Sequence, residues 1–287
     1  MLREIKPGDA RLALPVKRVG ILYHPGREKA RNLADKLEAL LSMWGVSTWQ
    51  FSTSGEDKAR PQVAGSDLIL SIGGDGTILR VARIIIPSKG PILGINLGKL
   101  GFITEFNGDE IVTNLPDLLE NGGWIDDRAM LEAQLNDKSY HALNDVVVRS
   151  TTARLISMKA EIDGETLATY RSDGIIIATA TGSTGYSLAA GGPILHPQSR
   201  QLILQPVSCH LCSNHALVLS PQSSIKIQIS TEDKALLSLD GQVNLPLSAN
   251  QDIMVKSSRY TTRFLRTRQP SYFYSSLWQK LHWKEAP

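Results

Sequence analysis

Three glycines in four positions, Gly73-Gly74-Asp75-Gly76, followed by Thr77 and preceded by the apolar Leu68-Ile69-Leu70, constrain this chain more than any other stretch. The pattern reads as strand, tight loop and helix, because apolar-periodic residues continue from Ile78 to Ile86. Glycines there let the backbone take φ > 0 and let a ligand reach main-chain N–H groups that a Cβ would shield. The N–H groups of a helix start, together with its dipole, favour an anion, so a phosphate or a hydroxyl-rich ligand fits. Asp75 is the odd residue. A carboxylate among anion-seeking amides repels phosphate unless it holds a metal ion or takes a proton from an attacking hydroxyl. The familiar glycine patterns do not fit: G-x-x-x-x-G-K-[ST] is absent, and a dinucleotide fingerprint read from Gly74-x-Gly76 puts Leu79 where its third glycine belongs. The bland alternative is a glycine turn with Asp75 or Thr77 capping the helix.

At 287 residues the chain is long enough for two domains, each with its own core. Hydrophobic residues at 42% and charged residues at 21% exclude a disordered or fibrous chain. No window approaches about 18 uninterrupted apolar residues. Residues 1–15 carry Arg3, Glu4, Lys6, Asp9 and Arg11 without an apolar core, so a secretory signal is not expected and a cytoplasmic protein is. A net charge of +3 suits an anionic small molecule and is too weak to imply nucleic acid or a membrane surface. Cys209 and Cys212 form a lone C-x-x-C with His210 inside it and His215 nearby. Two ligands of four, crowded along one run, argue for reduced structural thiols over a metal site.

Val16–Tyr23 reads as a first strand and Arg27–Trp44 as a helix stopped by Gly45; Val46–Phe51 reads as the next strand. A polar loop through Ser54, Gly55 and Pro61 leads to the glycine stretch, its helix, and a strand at Pro91–Leu97. Alternating strands and helices predict a doubly wound parallel sheet, in which ligands bind at the carboxyl ends of strands, where Gly73 to Thr77 falls. A short helix at Leu115–Glu120 follows, and Asn121-Gly122-Gly123 marks a boundary. Beyond it come short alternating runs at Ala142–Val148, Ile156–Ile162, Thr166–Tyr170, Ile175–Ala178, Ile225–Ile229 and Leu236–Leu239, with hairpin signals at Asp163-Gly164 and Asp240-Gly241. The expected organisation is an α/β domain over residues 1–122, a β-rich domain over 123–258, and a tail over 259–287 that returns to the first domain as a short helix. In that tail basic and aromatic residues mix, but Leu277, Trp278 and Leu281 are spaced as on a docking helix, so nucleic acid is not expected.

With these stretches in view the chain resembles the bacterial NAD kinases, which make NADP by phosphorylating the 2′-hydroxyl of the adenosine ribose of NAD. The resemblance covers almost the whole chain and is carried by Gly73-Gly74-Asp75-Gly76-Thr77, Gly98-Lys99-Leu100-Gly101-Phe102-Ile103-Thr104-Glu105-Phe106, Leu143-Asn144-Asp145, Ser172-Asp173-Gly174, Thr179 to Pro193, and the tail from Ser271 to Trp283. G-G-D-G-T alone is shared with lipid kinases. Its combination with T-G-S-T-x-Y-S-L-x-A-G-G-P is far more specific.

The resemblance implies that Asp75 is the general base. Gly73, Gly74, Gly76 and Thr77 would form the loop for the phosphate donor, ATP or polyphosphate, with Mg²⁺ or another divalent cation arriving on its phosphates. It implies that NAD is bound by Asp75, Gly76 and Phe102 on one side. On the other, Asn144 and Asp145 match an Asn-Glu pair that holds adenine and ribose, Asp145 being shorter than the usual glutamate. Thr184, Gly185, Tyr186, Ser187, Leu188 and Ala189 match a segment lining the NAD pocket, with Gly185 where alanine is common. Arg171 and Asp173 match a substrate-contacting pair that strand alternation would put on one face. Arg154 and Gln242 are weaker matches. His210 matches a family histidine whose neighbours differ here, and no role is assigned to it. A homodimer or homotetramer is implied, with the site in the cleft between the domains. Two rivals stand beside this expectation: another small-alcohol or lipid kinase using the same loop, and a non-catalytic NAD(P)-binding regulator.

Overall fold

The computed structural model describes residues 16–98, 101–210, 215–229 and 234–281. Strand and helix first alternate: β1 (Arg18–Tyr23), α1 (Glu28–Met43), β2 (Ser47–Ser52), α2 (Glu56–Val63), β3 (Leu68–Ile72), α3 (Asp75–Ile84) and β4 (Ile92–Asn96). β5 (Phe106–Asn107) and α4 (Gly108–Asn121) follow, then β6 (Trp124–Leu135), β7 (Lys138–Ala142), β8 (Asp145–Ser150), β9 (Ile156–Ile162), β10 (Glu165–Ser172) and β11 (Gly174–Ala178). A 3-10 turn (Gly182–Thr184) and the single-turn α5 (Tyr186–Ala189) interrupt the strands. They resume as β12 (Leu202–Val207), β13 (Leu217–Leu219), β14 (Ile225–Ile229), β15 (Ala235–Leu239), β16 (Val243–Leu247) and β17 (Asp252–Arg266), and α6 (Tyr272–Leu281) comes last. The chain divides into two compact units, one holding the described residues up to Asp127 and from Thr262 onward, the other running Arg128–Thr261. Among the described residues no helix is long and apolar enough to cross a membrane.

In the first unit β2, β1, β3 and β4 pair in that order, all parallel, and Phe264 near the end of β17 pairs with Ile92 of β4. The chain steps outward from β1 to β2, then crosses to β3 on the other side of β1. The topological switch point therefore lies at the carboxyl ends of β1 and β3, where open α/β sheets bind ligands. Every residue of β3 and β4 is buried, as expected of parallel strands covered on both faces. Helix α1 buries Ala30, Ala34, Leu37 and Leu41 along one stripe and ends before Gly45, whose φ of 74° a helix cannot continue.

The second unit is antiparallel. One sheet runs β10-β9-β14-β17, and the other runs β13-β12-β11-β8-β15-β16. Alternate residues of both, among them Val146, Val148, Met158, Ile175, Ile177, Leu204 and Ile227, meet in one core. The opposite face of β8, β11 and β12 is also buried: Val147, Ile176, Ala178 and Ile203 pack beneath Ala190 and Leu195. That second layer fixes the hydroxyl-rich segment from Thr179 to Pro193 onto the sheet. Both hairpin signals hold, with positive φ at Asp163 and Gly164 between β9 and β10 and at Asp240 and Gly241 between β15 and β16.

Four expectations need correction. The polar stretch around Ser54 to Pro61 is not all loop, because Glu56–Val63 is helix α2, which buries Ala59 and Val63 four apart and pairs Arg60 with Glu56 on its wet face. The short helix expected at Leu115–Glu120 begins seven residues earlier, where Asn107 and Glu110 form a capping box. The run Ala142–Val148 is broken by Leu143-Asn144 into the end of β7 and the start of β8. Cys209 is disulfide-bonded, against the expectation of a reduced thiol; Cys212 lies outside the described residues, as do Lys99, Leu100 and Trp283.

A buried charge network closes the first unit. Arg266 Nη1 contacts Glu105 Oε2 at 3.2 Å and Arg266 Nε contacts Asp126 Oδ2 at 3.3 Å, while Glu105 Oε1 accepts the backbone N–H groups of Thr267 and Arg268 at 2.9 and 3.0 Å. Removing one partner strands a buried charge. Glu105→Ala is therefore expected to destabilise the fold by about 3–5 kcal/mol. Urea unfolding measures this, and a change under about 1 kcal/mol would show the network to be dispensable.

Candidate active site

The loop at the end of β3 is built around one carboxylate. Gly73 donates its N–H to the Ile95 carbonyl at 2.8 Å, Gly74 is the residue before α3, and Asp75 opens that helix. Asp75 Oδ2 accepts the Phe102 N–H at 2.8 Å and Oδ1 the Ile103 N–H at 3.3 Å, so the side chain is aimed by a loop 27 residues away in sequence. Gly101 makes the approach feasible, because a Cβ there would fall on the Asp75 carboxylate. A Cβ on Gly73 would likewise fall on Thr77, whose buried Oγ1, like that of Ser71, has no hydrogen-bond partner in the protein. Asp75 is half-buried and Gly76 exposed, so the loop is open to a ligand.

Lys280 of α6 stands with Nζ 5.1 Å from the centre of the Phe102 ring. Burial pulls Lys280 down to about 8 and the Asp75 charge works against that, while Arg266 and Arg268 add to it. The loop thus offers main-chain donors, unpartnered hydroxyls, one aimed carboxylate and a cation. Among the described residues no group of three or more His, Cys, Asp or Glu side chains is placed to hold a metal ion.

In the second unit a cavity of about 410 Å³ is lined by Asn144, Asp145, Arg149, Tyr186, Asp240 and Asn244, among others. Asn144 and Asp145 sit where β7 gives way to β8. Thr179 holds that bend from one side: its N–H donates to the Asn144 carbonyl at 2.9 Å and its hydroxyl to the Leu143 carbonyl at 2.6 Å. Gly182 packs so closely on the Asn144 carbonyl that no side chain fits there. Asn144 Oδ1 and Ser187 Oγ are buried without partners in the protein. Burial, and after it the Asp240 charge, raises Asp145 from 3.8 to about 7.

Of the residues singled out in the sequence, Asn144, Asp145 and Tyr186 come together in this cavity. Tyr186 is 42% exposed, which makes it available to a ligand and removes the alternative of a core aromatic. Gly185 is adjacent, its Cβ direction pointing 3.6 Å from Asn144 Nδ2 and 4.0 Å from Asp145 Oδ2. Thr184, half-buried, bonds the Thr181 carbonyl at 3.3 Å, and Leu188 and Ala189 complete the turn of α5. Arg154, Arg171, Asp173 and Gln242 do not line the cavity. Arg171 is exposed on β10, Asp173 is exposed in the bend after it, and the Gln242 N–H closes the β15–β16 turn onto the Leu239 carbonyl at 2.9 Å. His210 donates its backbone N–H to the Arg171 carbonyl at 2.9 Å. Sequence reasoning missed Arg149, Asp240 and Asn244 as lining residues; the only signal among them was the Asp240-Gly241 turn.

Comparison with known proteins places both halves of the chain. Residues 27–123 match the family described as ATP-NAD kinase N-terminal domain, and residues 143–267 match the ATP-NAD kinase C-terminal domain. The chain is 41% identical over 272 residues to an NAD kinase of Dehalococcoides mccartyi, covering 92% of this chain and 96% of that protein. It is 38% identical over 273 residues to an NAD kinase of Chloroflexus aurantiacus, covering 93% and 99%. Among solved structures it is similar to an NAD kinase from Archaeoglobus fulgidus in complex with ATP, with 26% identity, a TM-score of 0.75, and coverage of 92% of this chain and 98% of that one. In fold it also resembles yeast NADH kinase complexed with NADH, at 24% identity and a TM-score of 0.83 over 96% of this chain and 90% of that one.

The Asp145 shift has a definite sign. With its pKa raised on folding, the folded chain holds a proton that the unfolded chain releases, so stability falls as pH rises from 3.8 to about 7. Asp145→Asn is expected to remove this contribution, at most about 4 kcal/mol. Chemical unfolding of both proteins across that range tests it, and parallel stability profiles would exclude a buried, protonated Asp145.

Proposed function

Because this chain belongs to the NAD kinase family and phosphorylates NAD to NADP, we propose that Asp75 is the group that orients and deprotonates the acceptor 2′-hydroxyl. The observation that supports this is the aimed carboxylate itself. Two loop N–H groups fix it at the carboxyl end of β3, beside glycines that carry no side chain to shield the main chain. Phosphoryl transfer passes through a loose transition state with charge spread over the equatorial oxygens, so alignment and neutralisation supply most of the acceleration. Asp75 supplies the alignment. The Gly74 amide and the Thr77 hydroxyl receive donor phosphate, Gly73, whose N–H is bonded to the Ile95 carbonyl, and Gly76 give the loop its close approach, and Lys280 adds positive charge beside it.

The family draws its phosphate from ATP; use of polyphosphate by this chain is a further proposal. A divalent cation, with Mg²⁺ the first candidate, would be carried by the donor's phosphates, with the Asp75 carboxylate able to add an oxygen ligand. When bound it neutralises charge on the phosphate oxygens.

On the acceptor, the Asn144 amide, with an unpartnered Oδ1, offers both donor and acceptor to an adenine edge. Asp145 meets ribose hydroxyls, and exposed Tyr186 offers a ring face to a base. Gly76 and Phe102 from the first unit, and Thr184, Gly185, Ser187, Leu188 and Ala189 around Tyr186, complete the proposed contacts. Arg154, Arg171, Asp173 and Gln242 carry weaker proposals, resting on motif match alone. Assembly as a homodimer or homotetramer and a cytoplasmic location also remain proposals; light scattering decides the first.

NADP formation from NAD, ATP and Mg²⁺, coupled to an NADP-specific dehydrogenase, reads the reaction, with NADH and polyphosphate as parallel substrates. Asp75→Asn is expected to lower turnover on the order of 100-fold or more while NAD binding by calorimetry changes little. Turnover equal to that of the unaltered protein would remove Asp75 from the role.

A further inference from the structure

One wall of the acceptor cavity belongs to a residue without an assigned role. Asp240 occupies the β15–β16 turn, 95 residues beyond Asp145 in sequence, where it and Gly241 both take positive φ, 52° and 65°. Its carboxylate is buried and accepts three consecutive backbone N–H groups. Oδ2 accepts that of Leu143 at 3.1 Å, and Oδ1 those of Asn144 at 2.7 Å and Asp145 at 3.3 Å. The Asp240 N–H returns a bond to the Asp145 carbonyl at 2.9 Å. With Thr179 bonded to the carbonyls of Leu143 and Asn144, the bend is gripped through its donors by one residue and through its acceptors by another.

We propose that Asp240 is a positioning residue for the acceptor nucleotide: by clamping the Leu143–Asp145 backbone it sets where the Asn144 amide and the Asp145 carboxyl stand in the cavity. The proposal rests on the assignment of Asn144 and Asp145 to acceptor binding. Leu143 and Asn144 lie in the bend between β7 and β8 and Asp145 is only the first residue of β8, so no ladder fixes the bend's N–H groups, and a carboxylate acceptor does so instead. Its three accepted hydrogen bonds go to the segment that carries Asn144 and Asp145, so its loss is a loss of acceptor affinity before it is a loss of chemistry.

The same carboxylate acts on Asp145 electrostatically. Burial first, and the nearby Asp240 charge after it, raise Asp145 to about 7. Below about pH 7 Asp145 keeps its proton, so it can donate as well as accept toward a ribose hydroxyl. Arg149 from β8 and Tyr186 from α5 are the other titratable groups on the cavity wall; Asn244 and Ser238 from β16 and β15 carry no charge. As Asp145 ionises, affinity for an acceptor that bears a pyrophosphate falls.

The test is KM and kcat for NAD from about pH 5.5 to 8.5 in the unaltered protein, Asp240→Asn and Asp240→Ala, with KM for ATP as the internal reference. Asp240→Ala is expected to raise KM for NAD about tenfold or more, with kcat and KM for ATP within about threefold. Asp240→Asn tolerates the positive φ and keeps one acceptor oxygen, so it raises KM less, and it moves the pH midpoint for NAD affinity below that of the unaltered protein. An unchanged KM for NAD in Asp240→Ala, or KM for NAD and ATP rising together, would overturn the proposal. If Asp240→Ala does not fold, the midpoint in Asp240→Asn decides: a displaced midpoint supports the role and an unmoved one overturns it. Absence of NADP formation by the unaltered protein would overturn the assigned reaction instead, a separate result.

Discussion

Backbone N–H groups outside helices and sheets need acceptors once buried, and in this chain carboxylates repeatedly supply them across long sequence separations. Asp75 takes those of Phe102 and Ile103, Glu105 those of Thr267 and Arg268, and Asp240 those of Leu143 and Asn144 and of Asp145 at the start of β8. Each ties an irregular segment to a residue far along the chain. A charged acceptor makes a shorter, stronger bond than a carbonyl, and its geometry is set by the side chain that carries it. Irregular backbone can therefore be placed as firmly as a strand. That is what a site built on loops requires, since loops carry function only where a scaffold holds them still.

The glycine loop and its flanking elements were legible because the constraint is local. Strand, loop and helix follow one another within about 15 residues, and glycine is the residue that close approach demands. The hairpins at Asp163-Gly164 and Asp240-Gly241 were legible for the same reason: the turn dictates its own residues. Helix α2 was hidden by its composition, since only Ala59 and Val63 face inward and Pro61 lies inside it. Strands β12 and β16 were hidden by Pro206 and Pro246, which demote a run read by pattern. β6 and β17 are long and interleave polar with apolar residues, so they offer a weak signal despite their buried faces.

The candidate site divides along the same line. Asp75, Asn144, Asp145 and Tyr186 stand in short motifs and could be named from them. Arg149, Asp240 and Asn244 reach the cavity only through antiparallel register, with Leu236 opposite Arg149 and Ser238 opposite Asn244. Nothing within a few residues of Asp240 announces that its carboxyl faces Asn144. Strand pairing across some hundred residues decides it, and a single sequence does not carry that pairing.

The two units differ in how they draw on the chain. The second is one uninterrupted segment, Arg128–Thr261, whereas the first recruits its last strand residues and final helix from beyond it. Glu105 meets its partners 161, 162 and 163 residues later. On a growing chain, then, the sheet that carries Asp75 is assembled early but stays open at the Glu105 seam, while the later unit has all its residues in hand before that seam closes. The order of synthesis thus makes the middle of the chain the part that can finish first, and the beginning the part that must wait for the end.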